Sequence, residues 1–381
     1  MPSKQRIFFV ANTSWSIYKF RLSLLQALVK KGYDVYVLAP RDKYSAIFEE
    51  LEGIFFIELK KLNSKSISLA DDLQLYLELL YHYRQLRPQL AFHYTIKANI
   101  FGSLAAARTG CPAVSVITGL GYMFTGKHIF KFAAEKLYAF ALRKNKEVWF
   151  LNHDDQQIFI DHKLVAAEKT FLLPGEGVDS STFYPAPYQQ RQEPISFLLI
   201  ARLIEHKGIY EFVQAAKILR EKNLPVLCSL LGFFDDKSAV AISKEQLAQW
   251  QTEGSIVYLG ETDEVAPFIE KADCIVLPSY REGLPLSLLE GASMSKALIA
   301  SDVPGCRELV REGVNGFLCQ PKDAAGLAIK MERYYNLPAG EKKAMGMAGR
   351  EIVLACFTKE IITDIYINKL DSLKKQNDPD I

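Results

Sequence analysis

The chain has 381 residues, 49% hydrophobic and 24% charged, too long for one ordinary core and suited to two domains of under ~200 residues each. This composition excludes a disordered or fibrous chain. The net charge is +2, but residues 1–190 carry 23 Lys and Arg against 17 Asp and Glu, while the rest carries 23 against 27, so an anionic partner suits the first half.

The N-terminus runs MPSKQR into the short apolar run IFFV, too brief for a signal peptide. No stretch nears ~18 uninterrupted apolar residues, so no membrane-spanning helix is expected. RIFFVA (6–11) reads as a buried strand, Phe20–Lys31 as a helix ending at Gly32, and YDVYVLAP (33–40) as a second strand. Residues 54–59, 88–94, 113–118 and 147–152 read as further strands, with helical spacing at 69–86, 98–109 and 128–143 between several of them. The alternation predicts a parallel sheet covered on both faces. FYPAPYQQRQEP (183–194) then reads as a linker. Alternation restarts with strands at 195–201, 225–232, 255–260, 274–279 and 297–301, and a helix with a polar tail follows Phe357. The expected division is an acceptor domain over 1–187, a donor domain over 188–356, and a C-terminal helix and tail over 357–381 that packs back toward the first domain. Cys111, Cys228, Cys274, Cys306, Cys319 and Cys356 form no CxxC pair and have no zinc-ligand spacing, so they read as buried thiols in a reducing, cytoplasmic compartment.

Ligands of open parallel sheets bind beyond the carboxyl ends of the strands. After the strand 195–201, ARLIEHKG places Arg202 and Lys207 ahead of a helix, where two cations suit a diphosphate. After 274–279, YREGLPLSLLE places Glu282 and Glu290 on either side of a helix start. Pro285 suits the first turn. Gly283 and Leu284 can offer backbone amides at the positive helix end, and Gly283 permits close approach. Glu290 falls about 7–8 Å along the helix, so two carboxylates can touch opposite ends of an extended ligand. Each half alone also fits ordinary solvated surface charges; their combination points to a ligand.

Arg202 to Lys207 with Glu282 to Glu290 resembles the donor signature of the family 4 retaining glycosyltransferases. LPGEGVDSSTF (173–183), SIVYLG (255–260), SDVPGCRELV (301–310, with Gly305 and Glu308) and VNGFL (314–318) are similar to that family as well. The resemblance implies an α/β chain of the GT-B fold, two Rossmann-like doubly wound domains facing across a cleft. It implies that Arg202 and Lys207 bind the diphosphate, Glu290 the ribose, and Glu282 with the amides of Gly283 and Leu284 the donor sugar. Gly232 and the segment from Val257 through Tyr258 to Gly260 are implied to border the base. A catalytic set of Arg202, Lys207 and Glu282 follows, with Pro285 completing the donor loop.

The N-terminal half departs from the common pattern. ANTSWSIYKFR (11–21) lacks glycine, and Thr118 stands in VITGLGY (116–122) where many relatives carry His. NTSWSIYKFR, HYTIKANIFGSLAA (93–106) and ITGLGYMFTG (117–126) instead resemble bacterial transferases that add sugars to polyprenyl-diphosphate-linked saccharides, typically from UDP-sugars such as an N-acetylhexosamine. The partners so implied are a UDP-sugar donor and a polyprenyl-diphosphate-linked saccharide acceptor. Ser14, His93, Lys97, Asn99, Thr118 and Gly119 are the candidate acceptor contacts, Lys97 for a diphosphate and His93 for a sugar. His93 can equally be a structural core residue.

The segment 122–146 combines Phe124, Phe130, Phe132, Tyr138 and Phe140 with Lys127, Lys131, Lys136, Arg143, Lys144 and Lys146, with Glu135 as its one acid. A basic aromatic helix suits an anionic membrane surface, which implies a peripheral place on the inner face of the cell membrane; a helix burying aromatics against the sheet has the same composition. No nucleic-acid motif accompanies the charge, so no nucleic-acid partner is expected. No cofactor or metal is expected, since Asp154–Asp155 and Asp235–Asp236 do not form a D-x-D motif. A sugar-nucleotide epimerase of the same fold and a non-catalytic nucleotide-sugar binder are the alternative readings.

Overall fold

A computed structural model describes residues 4–62, 68–120, 128–187, 193–235, 238 and 240–375. The chain divides into two compact units, residues 1–176 with 359–381, and residues 177–358.

In the first unit the elements run β1 (Arg6–Val10), α1 (Ser14–Lys30), β2 (Asp34–Ala39), α2 (Ser45–Glu49), β3 (Ile54–Glu58), α3 (Leu69–Leu86) and β4 (Leu90–Tyr94). A π-helical turn, Ala98–Gly102, leads into α4 (Ser103–Thr109), then β5 (Ala113–Ile117), α5 (His128–Leu142), β6 (Glu147–Phe150), α6 (His153–Asp161) and β7 (Thr170–Leu172). The strands form one parallel sheet in the order β3-β2-β1-β4-β5-β6-β7. Central strands such as LAFHY and AVSVI are buried along their whole length because helices cover both faces. The order reverses between β1 and β4, so right-handed crossovers put α1 and α2 on one face and α3 to α6 on the other. Side-chain oxygens of Thr13, Ser68 and Asn152 accept from amides in the first turns of α1, α3 and α6 and fix where those helices begin. α1 therefore starts at Ser14, earlier than Phe20, where the apolar periodicity begins; its polar first turn hid the start.

In the second unit the elements run β8 (Ile195–Ile200), α7 (Ile209–Glu221), β9 (Val226–Leu231), α8 (Lys244–Thr252), β10 (Val257–Tyr258), α9 (Ala266–Lys271), β11 (Cys274–Leu277), α10 (Leu286–Ser293), β12 (Ala297–Ser301), β13 (Gly316–Cys319), α11 (Ala324–Tyr335) and α12 (Ala339–Cys356). The sheet is again parallel, in the order β10-β9-β8-β11-β12-β13. The strands β7 and β13, three and four residues long, are too short to show a period in the sequence.

The last helix, α13 (Lys359–Lys375), belongs to the first unit. Its Tyr366 ring packs edge-on to Phe92 and Trp149, and its hydroxyl lies 3.1 Å from that of Tyr94. The thiols differ in part from the buried set expected: Cys228, Cys274, Cys306 and Cys319 are buried, Cys111 is half-buried, and Cys356, at the end of α12, is exposed.

Candidate functional site

The second sheet reverses its order between β8 and β11, and the loops leaving the carboxyl ends of these two strands lie side by side there. The chain leaving β8 passes Arg202 and enters the 3-10 turn Glu205–Lys207. Gly208 then takes φ +72°, and a Cβ there would stand 2.1 Å from the Pro278 carbonyl oxygen. Only glycine lets this turn rest against the end of β11. The chain leaving β11 brings Glu282 to the same place, and Lys207 Nζ donates to Glu282 Oε1 at 2.5 Å.

The same two loops are laced by Tyr280. Its amide donates to the His206 carbonyl at 2.9 Å, and its hydroxyl donates to Glu211 Oε1, in the first turn of α7, at 2.8 Å. Burial and the Glu211 carboxylate push the phenol pKa well up, so the hydroxyl stays a donor. The loop after β12 supports Glu282 from the other side. The Glu282 amide donates to the Pro304 carbonyl at 3.2 Å. Gly305, at φ +83°, approaches so closely that a Cβ would lie 2.5 Å from the Gly283 carbonyl oxygen.

Pro285 takes the cap position of α10 rather than its first turn, and it offers no side-chain acceptor to the helix. Gly283 and Leu284 precede it in the loop. The positive end of α10 thus faces the Lys207–Glu282 region without a capping carboxylate or hydroxyl from its own cap residue. Glu290 lies about one turn and a half further on, within α10, and is only 3% exposed. Gly291 beside it permits close packing, since a Cβ would meet Ile275 of β11 at 2.5 Å.

Arg202 stands at the more open side and pairs with Asp235 at 3.3 Å. Gly232 joins the end of β9 to this position: its amide donates to Gly260, its carbonyl accepts from the Tyr258 hydroxyl at 2.8 Å, and a Cβ would fall 1.7 Å from the Ala201 oxygen. Val257 is exposed on the short β10. The structure therefore brings Arg202, Lys207, Glu282, Gly283, Leu284 and Pro285 to adjoining strand ends, with Gly232 and Tyr258 along one edge.

Sequence reading missed Gly208, Glu211, Tyr280 and Ser279. The glycine directly after Lys207 was a usable signal. Glu211 and Tyr280 are far apart in sequence, and nothing in one sequence pairs them. Ser279 is fully buried, and its hydroxyl has no hydrogen-bond partner among the described residues.

In the first unit the candidate acceptor residues separate. Ser14 is buried at the start of α1, donating to the Asp42 carboxylate and accepting from Ser45, which fastens α1 to α2. His93 is not after β4 but inside it, and it is fully buried. Its Nε2 lies 2.6 Å from the Tyr83 hydroxyl and its Nδ1 3.3 Å from Ser103 Oγ. Burial pushes its pKa down to about 3, so it is a neutral core histidine and does not reach a sugar. Asn99 is likewise internal, donating to the Val116 carbonyl and the Tyr138 hydroxyl. The turn Ala98–Gly102 accounts for both corrections: Gly102 packs so closely on the His93 ring that a Cβ there would stand 2.7 Å from it, and Asn99 is a buried residue of the turn itself. Lys97 stays partly exposed and pairs with Asp72 of α3 at 2.6 Å. Thr118 and Gly119 follow β5 at the carboxyl edge, with open space around the Gly119 α-carbon.

Within the basic aromatic segment, Phe124, Lys127 and the side chains of Phe130, Lys131 and Phe132 lie outside the described residues. Of the rest, Tyr138 is buried against Phe159, whereas Phe140 is exposed, with Lys144 Nζ 5.5 Å from its ring. A further buried cluster was not foreseen. Arg21 pairs with Glu176 and lies 3.6 Å over the Tyr94 ring, and burial raises the Glu176 pKa despite the cation beside it. Among the described residues no group of three His, Cys, Asp or Glu side chains converges as metal ligands.

Comparison with known proteins agrees with this geometry. Residues 180–352 match the family described as glycosyl transferases group 1, and residues 6–152 match the family described as glycosyl transferase 4-like. The chain is similar to the N,N'-diacetylbacillosaminyl-diphospho-undecaprenol alpha-1,3-N-acetylgalactosaminyltransferase of Campylobacter jejuni, at 25% identity over 97% of this chain and 99% of that one. It is also similar to the UDP-Gal:alpha-D-GlcNAc-diphosphoundecaprenol alpha-1,3-galactosyltransferase of Escherichia coli, at 25% identity over 80% of this chain and 83% of the relative. Among solved structures, sucrose-phosphate synthase from Thermosynechococcus elongatus matches with a TM-score of 0.81 and 19% identity, covering 98% of this chain and 100% of the other.

Proposed function

We propose, for a chain that belongs to the group 1 glycosyltransferases and carries a 4-like N-terminal half, that it moves a sugar from a UDP-sugar to a polyprenyl-diphosphate-linked saccharide in polysaccharide or glycan assembly. Family membership sets it among sugar transferases rather than epimerases. The observation that carries the donor reading is the Lys207–Glu282 pair at the reversal point of the second sheet, beside the start of α10. The acceptor reading is supported by the names of two relatives, both of which act on undecaprenyl-diphosphate-linked sugars. In this reading the sugar is an N-acetylhexosamine and its anomeric configuration is retained.

The acceptor hydroxyl oxygen bonds to the anomeric carbon as the bond from that carbon to the diphosphate breaks. The electron pair of that bond leaves with UDP, and a leaving-group oxygen takes the acceptor's proton. Lys207 and Arg202 neutralise the developing charge, and the dipole of α10 adds to them. Glu282 accepts from sugar hydroxyls once the diphosphate has drawn Lys207 away. Glu290 serves the ribose from below. The diphosphate has two cations of its own here, so this reading uses no metal and no cofactor. Described helices include none long and apolar enough to cross a membrane. In this reading the lipid-linked acceptor brings the enzyme to the bilayer surface, with the segment 122–146 as one contact.

UDP release tests the reading, measured over a panel of UDP-sugars with and without a polyprenyl-diphosphate-linked saccharide, for wild type and Arg202→Ala. Acceptor-dependent release that Arg202→Ala largely abolishes supports it. Conversion of the UDP-sugar itself, with no release, overturns it.

A further inference from the structure

α3 is apolar on two sides. Leu75, Leu79, Leu80 and Tyr83 face the core. Leu69, Leu73, Leu77 and Tyr81 do not: they are 86%, 58%, 52% and 60% exposed. Set every fourth residue, they line a stripe ~18 Å long. A scattered surface leucine requires no explanation, but four in a row on one helix mark an interaction face.

Charge identifies the occupant. Helices α3, α4 and α5 lie on the same face of the first sheet. Their exposed charged residues, among those described, are Arg84, Arg108 and Lys136, with Arg87, Arg143 and Lys144 just past the helix ends. All are cations. The acids of these helices, Asp71, Asp72, Glu78 and Glu135, are half-buried. Asp72 is held by Lys97, and Glu78 accepts from the amides of Lys60 and Lys61 at 2.9 and 3.0 Å. α5 adds Leu137 and Phe140 to the exposed apolar set.

This face fits its own copy in a two-fold dimer poorly, because the pairing brings like charges together. The spacing also argues against a helical partner. Steps of four residues drift by about 40° each around a helix, whereas a coiled-coil seam alternates three and four. A lipid boundary demands no register. The Lys97–Asp72 pair ties the first turn of α3 to the chain leaving β4, so the stripe begins at the carboxyl edge of the sheet, the edge that Thr118 and Gly119 share.

We propose that the α3–α5 face of the first unit lies on an anionic lipid bilayer, with Leu69, Leu73, Leu77 and Tyr81 entering the boundary between headgroups and acyl chains. This deepens the lipid-linked-acceptor reading and rests on it for its purpose, but its test does not. The full chain is sedimented with vesicles of phosphatidylcholine alone or mixed with phosphatidylglycerol. Wild type is expected to pellet with the anionic vesicles and far less with the neutral ones. The variant L69Q/L73Q/L77Q is expected to lose about tenfold in partitioning, with an unchanged melting curve. UDP release with a short-chain, water-soluble acceptor is expected to stay at the wild-type level in this variant. Absence of wild-type binding to anionic vesicles, or unchanged binding by the variant, overturns the proposal. So does wild-type dimerisation in size-exclusion chromatography that the variant abolishes without changing vesicle binding. If vesicle binding behaves as expected but release never depends on the acceptor, the acceptor reading fails and the membrane face stands.

Discussion

Lys207 Nζ lies 2.5 Å from Glu282 Oε1, joining the loop that leaves β8 to the loop that leaves β11. The cation suited to the donor's diphosphate is thus held, in the free chain, by the carboxylate suited to the donor's sugar. In the proposed donor complex Lys207 turns to the diphosphate and Glu282 accepts from sugar hydroxyls, so each charged group keeps hydrogen-bond partners in a partly buried place.

Lys207→Ala is expected to lower kcat/KM by roughly three orders of magnitude, because a cation ~4 Å from the developing charge is worth about 4 kcal/mol at an effective dielectric near 20. Steady-state UDP release measures it, and a loss under tenfold refutes the assignment. Glu282→Gln is expected to cost less than Lys207→Ala. The double variant should cost less than the two losses combined, since each single change already breaks the pair.

Two glycines fix this geometry, and alanine at either should disturb it. Gly208→Ala and Gly305→Ala each place a side chain on left-handed backbone, costing roughly 1–2 kcal/mol before any overlap is counted. The overlaps with the Pro278 and Gly283 carbonyls then displace the loops carrying Lys207 and Glu282. Activity should fall by more than the loss of melting temperature explains. Gly110→Ala is the control, with φ +73° and open space around it. It should lower the melting temperature by the backbone cost alone and leave kcat/KM intact.

The fold was legible because its strands are continuous apolar runs and most of its helices show apolar residues at helical spacing. The donor loops were legible for a related reason: Arg202, Lys207 and Glu282 each lie just past such a run, and strand ends are where parallel sheets place ligands. What holds those loops was not legible. The Tyr280–Glu211 contact joins residues distant in sequence, and Gly305 acts on Glu282 through a carbonyl it nearly touches. His93 and Asn99 misled because a place at the end of a strand was read as exposure, and nothing in their spacing announced a π-helical turn that covers His93 and buries Asn99 within itself.

The Tyr280 hydroxyl gives a test of that hidden support. Tyr280→Phe removes the hydrogen bond to Glu211, whose other carboxylate oxygen already has no partner among the described residues. Stranding the carboxylate should cost about 1–3 kcal/mol. The paired variant Tyr280→Phe with Glu211→Leu should recover most of that stability in thermal melts. It should not recover the donor KM, because the side-chain tie between the loop after β11 and the first turn of α7 stays broken while only the backbone bond to His206 remains. Recovery of both would mean that the contact serves stability alone.

His93 supplies a pH dependence with a definite sign. Burial lowers its folded-state pKa to about 3, against about 6.5 in the unfolded chain. Between these values the unfolded state binds the extra proton, so the contribution is complete above about pH 6.5 and is lost as pH falls toward 3. The loss approaches about 1.4 kcal/mol per pH unit in that window. His93→Gln removes the titrating group, at the cost of its contacts with the Tyr83 hydroxyl and Ser103. In urea melts the variant is expected to be the less stable protein at pH 7.5, and its deficit should shrink steadily as pH falls from 6 to 4. A deficit that stays constant over that range would show that His93 titrates like an exposed imidazole, and its burial between β4 and the Ala98–Gly102 turn would then be wrong.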